Sequence, residues 1–257
     1  MAERVFIPDW PGLPGHIGVL STLRNGGVSL APFDDGSGTG GFNLAAHVGD
    51  RMEHVMQNRS ILAQFLPAGP VWLAQVHGTH VLDMGVPQDD LTADACFTSR
   101  SNVICAVQTA DCLPVLLCDA QNNVVAAAHA GWRGLLHGVL ENTLAMMVKS
   151  GARLDNIQVW LGPAIGERQF EVGSEVRTQF IDVNPDAHSA FKVSPVRPDK
   201  FDANIYLLAR LRLQRAGVFR IEGGDFCTVS EPEKFYSYRR NGVTGRMASL
   251  IWIKERP

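Results

Sequence analysis

The sequence predicts an α/β fold built on mixed sheets, and three observations carry that prediction. Apolar segments of strand length are interspersed with segments of helical period. Two strand segments, residues 113–118 and 124–129, flank the turn-rich Asp119-Ala120-Gln121-Asn122-Asn123, so at least one pair is an antiparallel hairpin. After Gly131 the period changes from strand to helix, with Leu136, Leu140, Leu144 and Met147 at helical spacing.

Taken in order, residues 71–76 read as a strand ending at Gly78, and 103–107 as a short buried strand. A hairpin loop of residues 119–122 places Cys112 directly opposite His129 on one face, and a slip of one residue would separate them. The helix after Gly131 is expected to end at Gly151. Residues 157–161 and 249–253 read as further strands, and Asp202 as the N-cap of a second amphipathic helix carrying Ile205, Leu208 and Leu211 before Gly217.

The 257 residues are 46% hydrophobic and 19% charged, enough for a substantial core. The Gly- and Pro-rich stretches at 8–15 and 36–41 are too short to be linkers, and no repeat is visible, so one domain over 1–257 is expected. A net charge of −3, with no basic run longer than Arg239-Arg240, argues against nucleic acid as a partner. The first residues form no apolar signal core and no stretch reaches spanning length, which predicts a cytoplasmic protein with no membrane partner. Five cysteines without a C-x-x-C pair fit reduced thiols. Nothing matches a dinucleotide fingerprint or a P-loop.

Chemistry concentrates in Gln75-Val76-His77-Gly78, Thr109-Ala110-Asp111-Cys112 and His129-Ala130-Gly131-Trp132-Arg133-Gly134. Two imidazoles and a thiolate bind zinc and leave a fourth position open, the profile of a working metal. Ligands so dispersed must be gathered by the tertiary fold. Each also has a plainer reading, His77 and His129 as hydrogen-bonded strand ends and Cys112 as a small buried hydrophobe. Gly131 and Gly134 allow close approach of a ligand, or simply a tight turn, and Arg133 beside them could hold an anion.

With Arg24-Asn25-Gly26-Gly27-Val28-Ser29, Asn43-Leu44, His47-Val48-Gly49-Asp50, Gly162-Pro163-Ala164-Ile165-Gly166, Phe170-Glu171-Val172-Gly173 and Phe235-Tyr236-Ser237-Tyr238-Arg239-Arg240, these segments resemble the laccase-domain family across almost the whole chain. That family is also called the YfiH-like polyphenol oxidase, purine nucleoside phosphorylase or peptidoglycan editing factor family. The resemblance implies a four-layer α/β/β/α sandwich with zinc held by His77, Cys112 and His129. It also implies cytosolic phosphorolysis of adenosine, inosine, guanosine or methylthioadenosine, and deamination of adenosine. One departure is Cys96, where relatives tend to carry an aliphatic residue; it reads as a core substitution.

For deamination, water activated at the metal would attack C6 of the base, with His47, Asp94 and Asp111 as candidates to move protons or contact substrate. For phosphorolysis, Arg24 and Arg133 are the candidate clamps on phosphate, and Asn43 a contact to ribose or base. A second class of reading makes Cys112 a nucleophile with His129 as its base, an amidase removing L-serine from a UDP-MurNAc precursor. Copper in a polyphenol oxidase is disfavoured: no two of the eight histidines are separated by one residue, the His-x-His spacing of multicopper clusters, although a single His₂Cys copper site is chemically allowed. An inert metal-stabilised domain ranks last, because a core of this size needs no metal staple. The assembly is expected to be a monomer or small homo-oligomer.

Overall fold

The computed structural model describes residues 3–255, so the outer ends of the expected 1–257 domain lie outside the described residues. The elements are β1 (Val5–Phe6), β2 (Ile17–Thr22), α1 (Met52–Ala63), β3 (Val81–Asp83), β4 (Ala95–Thr98), β5 (Ile104–Thr109), β6 (Leu113–Asp119) and β7 (Val124–Ala130). There follow α2 (Trp132–His137), α3 (Val139–Lys149), β8 (Gln158–Leu161), β9 (Glu171–Gly173), α4 (Ser174–Val183), β10 (Phe191–Val193) and β11 (Lys200–Ala203). The chain closes with α5 (Ile205–Arg215), β12 (Arg220–Gly223), α6 (Tyr238–Asn241) and β13 (Met247–Ile253).

A six-stranded sheet runs β12-β8-β6-β7-β4-β3, parallel at its two outer pairs and antiparallel within, so it is mixed as the hairpin required. A four-stranded antiparallel sheet runs β1-β2-β13-β5, and a small antiparallel sheet runs β10-β11-β9. Alternation along each strand shows how the two large sheets stack. In β6, Leu113, Val115 and Leu117 join a core with α3 and α5, whereas Leu116 and Cys118 face Cys105, Val107 and Ile251 of the other sheet. In β5, Ile104 and Ala106 turn the opposite way, into a third core with Leu62 of α1. Helices, sheet, sheet and helix make the four layers, and strands buried on both faces explain why their segments read as continuous apolar runs. Cys96 sits in the core between the sheets, which suits a small apolar replacement. No helix among the described residues is long and apolar enough to cross a membrane.

Four local expectations are corrected. The hairpin pairs Asp119 with Val124 and Pro114 with His129, so its loop is residues 120–123 and Cys112 is not directly opposite His129. The Asp119 carboxylate closes the turn from within the strand, accepting from the N–H groups of Gln121 and Asn122 and from the Asn122 amide. A shift of two positions preserves the face each residue takes, so Cys112 and His129 still meet. Residues 71–76 form no strand beyond a bridge from Ala74 to Thr92: Ala74 pairs with the backbone of Leu91 and Ala93, but the N–H of Val76 turns to the Asp94 carboxylate.

The helix after Gly131 is broken in two at Gly138, whose φ of +98° ends α2 and starts α3. Asp202 belongs to β11, paired with Lys192 and Glu171, and the N-cap of α5 is Asn204, whose side chain accepts from the N–H of Leu207.

Candidate functional site

His77, Cys112 and His129 come together at one end of the six-stranded sheet. Their ligand atoms all lie within 4.8 Å of one another, with Cys112 Sγ 3.8 Å from His77 Nε2. Ligands on a tetrahedral zinc, at ordinary Zn–S and Zn–N lengths, stand about 3.5 Å apart. The three donors therefore reach such an ion with side-chain shifts of about 1 Å. His129 is the next-to-last residue of the long strand β7, while His77 and Cys112 stand on loops bent by positive φ, +60° at His77 itself and +86° at Asp111. Gly131 is required by space: a Cβ there would lie 3.0 Å from His77 Cδ2 and 3.1 Å from Cys112 Sγ.

Asp94 organises this set from behind. Its carboxylate is fully buried, and Oδ1 accepts from His129 Nδ1 at 2.8 Å and from the His77 N–H at 2.8 Å. Oδ2 accepts from the N–H groups of Val76 at 3.2 Å and Gly78 at 2.6 Å. One buried anion thus shapes the His77 loop and fixes the His129 tautomer with Nε2 left for a ligand, the support that metal-binding imidazoles ordinarily receive. It also takes the N–H of Val76, the one backbone donor within 71–76 that it claims. Gln75 completes that loop by exchanging two side-chain hydrogen bonds with the backbone of Gln108.

The electrostatics are those of a thiolate and imidazolium pair. Burial pushes the Cys112 thiol up, but His129, and to a lesser degree His77, bring it down to about 6. Burial works against a charge on His129 as well, yet Cys112 and Asp94 raise it to about 9. Burial also raises the Asp94 carboxyl, and its hydrogen bonds from His129 and Gly78 outweigh this and leave it below the usual range.

The three ligands open into a cavity of about 470 Å³, within the range of small-molecule sites. His47, Asp111 and Arg133 of the expected residues line it. Asp111 accepts from the Thr228 hydroxyl and the Arg239 N–H, both at 2.6 Å, and so ties the Thr228 loop and the start of α6 to the cavity wall. Arg133 is exposed and lies over the Trp132 ring.

Three candidates are not brought to the cavity as substrate contacts. Arg24 is buried away from it, donating to the carbonyls of Asp34 and Pro232, where it binds two loops together. Asn43 is completely buried and spends its amide on Ala45, Asp50 and the N–H of Arg246. Asp94 stands behind the ligands as described. The cavity instead adds Gln108, Tyr238, Arg239 and Arg246, which the sequence reading did not single out for function. Tyr238 and Arg239 fell within a quoted segment, but nothing in the local pattern around Gln108 or Arg246 marks them.

The sequence profile of the family described as multi-copper polyphenol oxidoreductase laccase matches residues 18–254. The Escherichia coli (strain K12) protein named purine nucleoside phosphorylase YfiH is 49% identical over 254 residues, covering 98% of this chain and 99% of its own. A Pseudomonas aeruginosa protein also named a purine nucleoside phosphorylase is 49% identical over 248 residues, covering 96% and 98%. Among solved structures, a Neisseria meningitidis protein superposes with a TM-score of 0.88 at 44% identity, covering 98% of this chain and all of its own. Bacillus licheniformis YfiH gives 0.87 at 27% identity, covering 98% and 97%.

Proposed function

The chain belongs to the multi-copper polyphenol oxidoreductase laccase family, and from that premise we propose that it is a cytoplasmic, zinc-dependent purine nucleoside phosphorylase that also deaminates adenosine. The observation that carries the reading is the convergence of His77, Cys112 and His129 on one cavity, with Asp94 holding the ligand geometry. Zinc held there supplies a Lewis acid with an open coordination position. In phosphorolysis an oxygen of inorganic phosphate bonds to C1′ of the ribose as the C1′–N9 bond breaks, its electron pair leaving with the base, which takes up a proton. His47 and Asp111 are assigned to proton movement and the exposed Arg133 to drawing anionic phosphate towards the cavity. Burial first, then Arg246 and Arg59, lower the pKa of His47, which keeps its imidazole neutral and able to accept a proton. Relatives named as purine nucleoside phosphorylases support the substrate class.

The test is incubation of metal-quantified protein with adenosine, with and without phosphate, following inosine, adenine and ribose 1-phosphate by chromatography. Product that requires zinc and Cys112 is expected, and its phosphate requirement names the reaction. No product from folded, zinc-loaded protein refutes the reading.

One observation favours a second reading. A Cys112 thiol lowered to about 6 beside a protonated His129 is an activated nucleophile when no metal holds it. Under that reading the protein is an amidase acting on the L-serine-containing UDP-MurNAc precursor, and stoichiometric zinc inhibits turnover instead of activating it. Copper chemistry has less support: among the described residues His77, Cys112 and His129 make the one group of three or more such ligands, with no second group to bridge. Intense visible absorption of copper-loaded protein with polyphenol turnover would revive it. The inert-domain reading expects Cys112→Ala to unfold the protein.

A further inference from the structure

We propose that Arg246, Gln108 and His47 form the pocket that binds inorganic phosphate in the cavity; the proposal rests on the phosphorolytic reading above. The cavity wall carries three guanidinium groups, Arg133, Arg239 and Arg246, against one carboxylate, Asp111, in a chain of net charge −3. That carboxylate already accepts from Thr228 and Arg239, so an incoming anion meets a basic surface.

The three arginines are not equivalent. Arg239 spends its guanidinium on the carbonyls of Gln169 and Glu171, against the Phe170 ring. Arg133 is exposed on Trp132, with no hydrogen bond to hold it among the described residues. Arg246 is half-buried and held from two sides. Its N–H donates to Asn43 Oδ1 at 3.0 Å, and its Nη1 to the carbonyls of Thr244 and Gly245 at 2.9 and 3.0 Å. Nε and Nη2 are left without protein acceptors among the described residues. Preorganisation of this kind is what a charged anchor needs.

Two neighbours carry matching unused groups. Gln108 is 6% exposed and lines the cavity, yet its buried Nε2 has no hydrogen-bond partner among the described residues. A buried amide donor without an acceptor destabilises a fold, so a ligand atom is the natural partner. Gln108 lies opposite Ala248 in the β5–β13 pairing, which puts it diagonal to Arg246 at the same end of the sheet. His47 also lines the cavity, lies within electrostatic reach of Arg246, and its ring has no protein hydrogen bond among the described residues. Guanidinium, amide and neutral imidazole together suit monohydrogen phosphate, which offers several acceptor oxygens and one O–H. Arg246 is also within electrostatic reach of Cys112, so phosphate held there sits beside the metal ligands.

The experiment is equilibrium dialysis of radiolabelled inorganic phosphate against zinc-quantified wild type and the variants Arg246→Met, Arg246→Lys, Gln108→Met and Arg133→Met, with phosphate and adenosine KM values beside it. Arg246→Met is expected to weaken phosphate binding about ten- to a hundredfold with zinc content and adenosine KM unchanged, and Arg246→Lys to restore part of the loss. Gln108→Met is expected to weaken phosphate binding and raise the melting temperature together, because it removes the buried amide; a merely structural Gln108 would lower it. Should Arg246→Met fail to fold, Arg246→Lys and Gln108→Met decide. Wild type that binds no phosphate, unchanged affinity in the Arg246 and Gln108 variants, or loss confined to Arg133→Met overturns the proposal. Phosphate bound through Arg246 without nucleoside turnover refutes the phosphorolytic reading and leaves the pocket standing. Turnover with an unaltered phosphate KM in Arg246→Met refutes the pocket and leaves that reading standing.

Discussion

Asp94→Asn perturbs the site at its most connected atom group. The carboxylate has two acceptor oxygens, and each serves two donors: Oδ1 takes His129 Nδ1 and the His77 N–H, and Oδ2 takes the N–H groups of Val76 and Gly78. An amide keeps one oxygen and substitutes an NH₂ that accepts nothing: turned towards Val76 and Gly78 it faces two N–H donors, and turned towards His129 it faces the His77 N–H while drawing the imidazole into the tautomer that accepts at Nδ1. At about 1–3 kcal/mol for a donor left unsatisfied, and less where solvent reaches the part-buried N–H groups, the metal-free protein should lose about 1–3 kcal/mol. The metal site should weaken as well, because loss of a partner behind a ligating imidazole ordinarily costs about 10–100-fold in affinity. Two measurements check this, zinc affinity by chelator competition near neutral pH and denaturant unfolding of metal-free protein. A variant that binds zinc as wild type does, with an unchanged unfolding midpoint, would refute the argument that Asp94 holds the ligands. Full stability with zinc affinity lost would place its role on His129 alone and not on the His77 loop.

Gly131→Ala adds a methyl 3.0 Å from His77 and 3.1 Å from Cys112, and should weaken zinc binding while costing about 1–3 kcal/mol of stability; chelator competition and thermal melting report both. In metal-free protein, alkylation of Cys112 should reach half its limiting rate near pH 6, not near the ordinary thiol value of about 8.5, because His129 outweighs burial. The sign for stability follows: a lowered thiol pKa contributes fully above the unfolded value and loses that contribution as pH falls through about 6, which acid titration of metal-free protein against Cys112→Ala will read. Arg24→Ala should cost about 1–3 kcal/mol by releasing Asp34 and Pro232, yet leave the phosphate KM unchanged, since Arg24 lies outside the cavity.

Apolar period and glycine placement are local properties, and they sufficed for the class of fold and the β6–β7 hairpin, whereas the grouping of the dispersed His77, Cys112 and His129 was implied by the family resemblance and not by their spacing. The hairpin register came out two positions away because the turn is closed by the Asp119 side chain, a detail that strand propensity does not encode. Helix continuity likewise failed at Gly138, where the side-chain period ran on across a residue whose φ stops the helix.

What only the tertiary structure decided is which polar groups meet. Arg24, Asn43 and Asp94 had the right chemistry for substrate, but buried carbonyls and N–H groups from distant loops claimed them first. Arg246 and Gln108 carry no local signal and matter because the β5–β13 pairing brings two strand ends to the same cavity. Hydrogen-bond demand in a buried site is satisfied across the fold, between residues 17 positions apart at Asp94 and His77 and 203 apart at Asn43 and Arg246, so donor and acceptor types can be read along the chain but their pairing cannot.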